Sequence, residues 1–283
     1  MQNKTNKAAL LLLFAGIIGT VYFATLAGND IIEDRQVEAY YASLSVVVRT
    51  DDFDNNPSVK NDAANTAPKE VPGAKARTGS ARNDTKSAVN KVPVVDFEAI
   101  RREVPGVIAW IRINGTVINY PVMHGTDNEY YLTRLPNGKA SKSGSIFIDY
   151  RNTPDFSNAN TLLHGHRMKS GTMFAALKNY SSQAFYEQHR IAFISTPEKN
   201  YELIFFAGYR LNQTVEIPPL KFKNAEDFDK YIQDIKKRSI FKSDVKVSAK
   251  DKLVTLATCE YQVNDDRLVI VGKLVESSRR QHY

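Results

Sequence analysis

The chain holds one cysteine, Cys259, among 283 residues, so no disulfide can close within it. That thiol is either a small apolar filler or a working nucleophile, and its surroundings must decide. Clustered basic residues are also missing. Lysine and arginine outnumber aspartate and glutamate 38 to 31, a formal net charge of +7. They are spread along the whole chain, though, and do not interleave with aromatics on one helix. A nucleic-acid surface is not indicated, whereas a solvated basic surface with a weak attraction for anionic lipids or polymers is. No acidic or cysteine side chain adjoins the close histidine pair, His164 and His166, in sequence. A metal centre is therefore not indicated, and no cofactor is implied. No internal repeat appears. With 42% hydrophobic and 10% aromatic residues, the chain can build one sizeable core, or one core plus a tail.

Charge is absent altogether from residues 8–27, AALLLLFAGIIGTVYFATLA. As a helix at ~1.5 Å per residue the run reaches roughly 30 Å, the thickness of a bilayer core. Lys4 and Lys7 precede it and Asp30, Glu33 and Asp34 follow. The positive-inside rule then keeps residues 1–7 in the cytoplasm and sends the remainder outward. The run is longer than a signal-peptide core, and the Leu-Ala-Gly after it is a poor cleavage site, so we read an uncleaved signal-anchor. The expected location is the cell membrane, crossed once, with the bulk of the chain outside. Ile31 to Val48 can continue as a short helix. From Asp51 to Lys91 the composition shifts to Asn, Ala, Lys, Ser, Pro and Gly, with one aromatic and no apolar periodicity. Such a stretch cannot repay its ordering entropy. Residues 28–91 are therefore expected to form a largely flexible extracellular tether, and residues 92–283 the folded domain.

From Val92 onward short β-type runs take over. Asp96 is placed to cap a helix carrying Phe97 and Ile100, which stops near Pro105-Gly106. Val107–Ile113 and Thr116–Val122 read as strands joined at Asn114-Gly115, a strong hairpin signal. Residues 144–149, 161–163, 191–195, 201–210, 253–258 and 267–275 complete a set of eight. Asn224 to Arg238 is an amphipathic helix, with Phe228, Tyr231, Ile232 and Ile235 at i, i+3, i+4 and i+7 and good capping charges at both ends. Many short strands with few helices predict a mostly β domain, a closed antiparallel eight-stranded barrel with peripheral helices.

Three features carry chemistry. KLVTLATCE sets Cys259 at the end of a strand, where a side chain can face a cleft while the strand holds it. RLVIVGKLV opens with Arg267, and a hairpin through EYQVNDD would bring its guanidinium back beside the thiol. TLLHGHRM puts His164 and His166 at another strand end, followed by a helix from about Thr172. Nearby positive charge favours the thiolate, a histidine can hand a proton to a leaving amine and take one from an incoming amine, and an arginine can hold a developing oxyanion. Together they support acyl transfer through a thioester. Each residue also has a plainer reading: Cys259 as buried filler, the histidines as a metal pair, Arg267 as a surface residue or an ion pair with Asp265 or Asp266. Spacing does not choose between His164 and His166.

Taken together, TLATC, the Gly-His before a Met-Phe helix start, and the arginine opening the next strand resemble the signature of the sortase family. INGTVINYPVMHGTDNEYYL, KSGSIFIDYRN, NTLLHGHRM and the long helix before the last two strands are similar to class B of that family. The resemblance runs from about Val95 to Val275. It implies Cys259 as nucleophile, His166 as the catalytic histidine and Arg267 as the residue that holds the oxyanion and positions substrate, with Asn119, His164 and Thr258 lining the substrate cleft. His164 stands where relatives often carry tyrosine. The implied activity is that of a cysteine transpeptidase. It cleaves a C-terminal sorting motif of secreted proteins after threonine and joins the threonine carbonyl to an amine of peptidoglycan at the surface of a Gram-positive-type cell. A pilin-polymerising sortase using a lysine amine, a hydrolytic cysteine peptidase, and a non-catalytic surface binding domain with Cys259 buried remain as alternatives.

Overall fold

The computed structural model describes residue 28 and residues 31–46, 48–50, 93–211, 217–259 and 267–277. Helix α1 covers residues 31–45. β1 (Val48–Thr50) pairs antiparallel with β2 (Pro93–Val95), so the chain returns at residue 93 to the place it left at residue 50. α2 spans Phe97–Glu103, and the Asp96 side chain caps it by accepting from the Ala99 N–H at 2.9 Å.

The eight strands read from the sequence form a closed barrel: β3 (Val107–Arg112), β4 (Asn119–His124), β5 (Ile146–Ile148), β6 (Asn160–His166), β7 (Ile191–Ser195), β8 (Asn200–Leu211), β9 (Lys252–Cys259) and β10 (Arg267–Glu276). Their order around the barrel is β10-β8-β7-β3-β4-β5-β6-β9, closed by β9 on β10. The barrel is mixed rather than antiparallel, because β4–β5 and β6–β9 run parallel. The antiparallel expectation fails where no hairpin joins the neighbours. A parallel pair needs a long crossover, and residues 125–145 and 167–251 supply two of them. Asn114-Gly115 does turn the β3–β4 hairpin, with Gly115 at φ +74° and the Ile113 N–H bonded to Ile118 O at 2.9 Å.

Two apolar clusters hold the domain. The barrel interior is filled by residues such as Ile111, Val122, Ile146, Leu163, Leu256 and Ile270. The second cluster lies where α4 (Ala225–Lys237) covers β6, β8, β9 and β10. Phe228, Ile232 and Ile235 meet Leu162, Leu253, Ala257, Val269 and Val271. At roughly 1.5–3 kcal/mol for each large apolar side chain buried, that helix is a strong brace beneath those strands. α1 joins the core as well: Val37, Tyr41 and Leu44 recur on one face and are buried. The stretch read from the sequence as a tether thus opens with a helix packed on the barrel, while residues 51–92 lie outside the described residues. Among the described residues no helix is long and apolar enough to cross a membrane; the apolar run 8–27 lies outside them.

Candidate active site

β6, β9 and β10 lie side by side. In the parallel β6–β9 ladder the Cα of His166 is in register with that of Cys259, after Gly165 with Thr258 and His164 with Ala257. In the antiparallel β9–β10 ladder the partners sum to 526 (Val269 with Ala257), so carrying that register two residues on sets Arg267 opposite position 259. Positions 166, 259 and 267 therefore form one row across three strands, each about 4.8 Å from the next, at one end of the barrel. Thr258 fastens this corner. Its hydroxyl accepts from the Leu268 N–H at 3.0 Å and donates to Leu268 O at 3.3 Å, holding β10 to β9 beside Arg267.

His166 is 5% exposed, and its Nε2–H donates to the main-chain carbonyl of Leu132 at 2.8 Å. A carbonyl can only accept, so Nε2 carries the proton, and in the neutral ring Nδ1 keeps the lone pair. The glycine before His166 has a packing reason. A Cβ at Gly165 would lie 2.4 Å from Ile146 Cδ1 and 2.7 Å from Phe174 Cδ2, so only glycine lets the strand end sit this close to the barrel wall and to the 3₁₀ helix Phe174–Ser181. That 3₁₀ helix is the helix expected to follow His166 from about Thr172. The buried Nε of Arg267 has no hydrogen-bond partner among the described residues. A buried donor left unpaired is costly unless something occupies it in use.

His164 shares its strand with His166 but has a different setting. Its Nε2 lies 3.2 Å from Asp149 Oδ2, and its ring packs on Phe147 with centroids 5.1 Å apart. Asp149 also accepts from Arg151 Nε at 2.8 Å, Arg151 Nη2 at 2.9 Å and Asn128 Nδ2 at 2.9 Å. Burial alone would push the Asp149 carboxyl up, but the hydrogen bonds from Arg151, His164 and Asn128 outweigh it and hold the group well below the usual carboxylate range. Asn119, at the start of β4, accepts through its amide oxygen from the Trp110 Nε1–H at 2.7 Å. The structure thus brings positions 166, 259 and 267 together. It occupies polar atoms of Asn119, Thr258 and His164 with protein partners. Sequence reasoning missed the Leu132 carbonyl and the Asp149 cluster. An aspartate closing the apolar run IFI was the one signal of the latter, while a main-chain carbonyl leaves none. No group of three or more His, Cys, Asp or Glu among the described residues is arranged to hold a metal ion.

The family model that matches this chain is the sortase domain, over residues 111–275. Sortase B of Staphylococcus aureus is 35% identical over 184 residues, 64% of this chain and 75% of that protein. Sortase B of Listeria monocytogenes is 37% identical over 182 residues, 64% of this chain and 73% of that protein. The solved Staphylococcus aureus sortase B–substrate complex superposes with a TM-score of 0.62 at 35% identity, covering 64% of this chain and 85% of that one. With a mixed eight-stranded barrel and this match over most of the folded part, the chain belongs to the sortase family of cysteine transpeptidases. Within the family its relatives are sortases B, and it is a class B sortase.

Proposed function

We propose that this class B sortase acts outside the cell, held by a signal-anchor at residues 8–27. In this reading it cleaves a C-terminal sorting motif of secreted proteins after threonine and transfers the threonine carbonyl to an amine of peptidoglycan. The observation that supports this reading is the register lining positions 166, 259 and 267 across β6, β9 and β10. A cysteine thiol near pKa ~8.5 is mostly protonated at neutral pH, and a fixed guanidinium one strand away favours the thiolate. Cys259 attacks the threonine carbonyl, and Arg267 holds the negative oxygen that forms. The proton lost by the Cys259 thiol is taken up at His166 Nδ1, and His166 gives it to the leaving amine as the C–N bond breaks, leaving a thioester. An incoming amine then attacks that thioester, His166 takes its proton, and the thiolate departs as the new amide forms. By family likeness the motif resembles Asn-Pro-x-Thr followed by Asn, Gly or Ser.

The experiment is product analysis on a panel of sorting peptides with and without an added amine. A new amide at threonine that grows with amine concentration supports transpeptidation to an amine. Free threonine acid at every amine concentration would mark a hydrolytic peptidase. Transfer only to a lysine side chain of a pilin would mark a polymerising enzyme. Either result overturns the proposal.

A further inference from the structure

The Leu132 carbonyl that receives the His166 proton donor is itself held from the far side. Gly144, at φ +56°, lies flush against it; a Cβ there would stand 2.4 Å from Leu132 O and 2.7 Å from Tyr131 O. Its neighbour Ser145 donates its N–H to Tyr131 O at 2.8 Å, and Ser141 N–H donates to Thr133 O at 3.0 Å, so the two strands of this loop are laced together. The carbonyl of Gly144 in turn accepts from the hydroxyl of Tyr41 at 2.9 Å, a bond spanning 103 residues. Tyr41 belongs to α1 and is 6% exposed; burial pushes its phenol well up, so it remains a donor at every working pH. The same ring meets Tyr120 edge-on, centroids 4.9 Å apart. The Tyr120 hydroxyl accepts from Met173 N–H at 3.0 Å, and Met173 bridges to Arg167, the residue after His166. Near its N-terminus α1 is fastened to the same loop, where Glu33 accepts from Ser141 Oγ at 3.3 Å and from Lys142 N–H at 3.4 Å.

One side chain of α1 therefore reaches both supports of His166. We propose that Tyr41 and Gly144 are positioning residues for His166: they fix the Leu132 carbonyl, which orients the imidazole and sets its tautomer. This inference rests on His166 being the catalytic histidine. It adds a role for α1, whose packing would otherwise contribute only stability. The order is physical: a hydroxyl fixes a glycine carbonyl, the glycine backbone fixes a neighbouring carbonyl, and that carbonyl fixes a ring whose misplacement by about 1 Å can cost on the order of 10²-fold in rate.

The test uses Tyr41→Phe, which keeps the ring and loses the hydroxyl, and Gly144→Ala, whose methyl must displace Leu132 O. Val37→Ala, in the same helix, is the control. Three quantities are read on the full chain: melting temperature, kcat and KM for a sorting peptide, and the nitrogen NMR signals of the His166 imidazole. The expected result is a kcat lower by about three- to tenfold for Tyr41→Phe and by more than about tenfold for Gly144→Ala, at near-constant KM. The imidazole signals should move in both variants. Val37→Ala should lower the melting temperature and leave kcat per folded molecule and the imidazole signals in place. Should Gly144→Ala not fold, Tyr41→Phe carries the test alone. Unchanged kcat and unchanged imidazole signals in Tyr41→Phe would overturn the proposal and leave α1 as structural glue. If His166→Ala kept full activity while the imidazole signals still moved in Tyr41→Phe, the positioning contact would stand and the catalytic role of His166 would fail.

Discussion

Replacing Gly165 by alanine puts a methyl group where the barrel leaves no room for one. The added carbon would lie 2.4 Å from Ile146 Cδ1 and 2.7 Å from Phe174 Cδ2. Ordinary carbon contacts sit near ~3.5–4.0 Å, so the neighbours would have to give by roughly 1 Å. Both are fully buried, in a close-packed interior with no slack. Overpacking of this kind costs about 1–3 kcal/mol, and at roughly 2–4 °C per kcal/mol for a domain of this size the melting temperature should fall by about 2–12 °C. The strand end must shift too, and His166 is the next residue, so kcat/KM should fall by up to about 10²-fold. Calorimetry and peptide turnover on the same preparation read both effects. Ile146→Val removes the offending Cδ1, so the double variant should regain part of each loss, with a coupling of about 0.5–3 kcal/mol. Wild-type stability and turnover in Gly165→Ala, or strictly additive effects in the double variant, would refute the argument that close packing demands this glycine.

Arg267→Ala should lose about 10²–10³ in kcat/KM while Cys259 still reacts with a small alkylating reagent, and Arg267→Lys should be impaired because it loses the forked donor geometry. A lowered melting temperature with normal turnover per folded molecule would remove Arg267 from the site. His166→Ala should remove nearly all turnover. His164→Ala should retain turnover, with weaker substrate binding and loss of the Asp149 contact; the reverse pattern would move the catalytic role to His164. The depressed Asp149 carboxyl binds protons less readily folded than unfolded, so it contributes stability that is present above about pH 4 and lost as pH falls further. Denaturation midpoints from pH 6 to pH 3 should therefore slope less in Asp149→Asn than in wild type, and identical slopes would contradict this.

The sequence spoke clearly wherever structure is local. Asn114-Gly115 marked its hairpin, Asn224 and the Phe228-Ile232-Ile235 stripe marked α4, and the alternation in KLVTLATC marked β9. The β9–β10 hairpin could be read because only seven residues lie between Cys259 and Arg267. What could not be read was long-range pairing. Nothing in NTLLHGH shows that it lies parallel to KLVTLATC, yet that ladder sets His166 rather than His164 level with Cys259. Spacing had left the two histidines equivalent, and the family resemblance had favoured His166. Nor could composition reveal α1 as part of the barrel, since its contacts with Gly144 and Tyr120 span 79 residues or more. The cleft-lining expectations for Asn119 and Thr258 could not foresee that Trp110 Nε1 and the Leu268 backbone take up their side-chain oxygens.

In this mechanism acyl transfer passes through the one thiol in the chain. Intact-mass measurement of the full chain, quenched in acid after mixing with a sorting peptide, tests it most directly. The expected result is a gain equal to the peptide fragment ending in threonine, mapped to Cys259, discharged by added amine and absent from Cys259→Ala. Peptide cleavage by Cys259→Ala, or an acyl group found on any other residue, would contradict it.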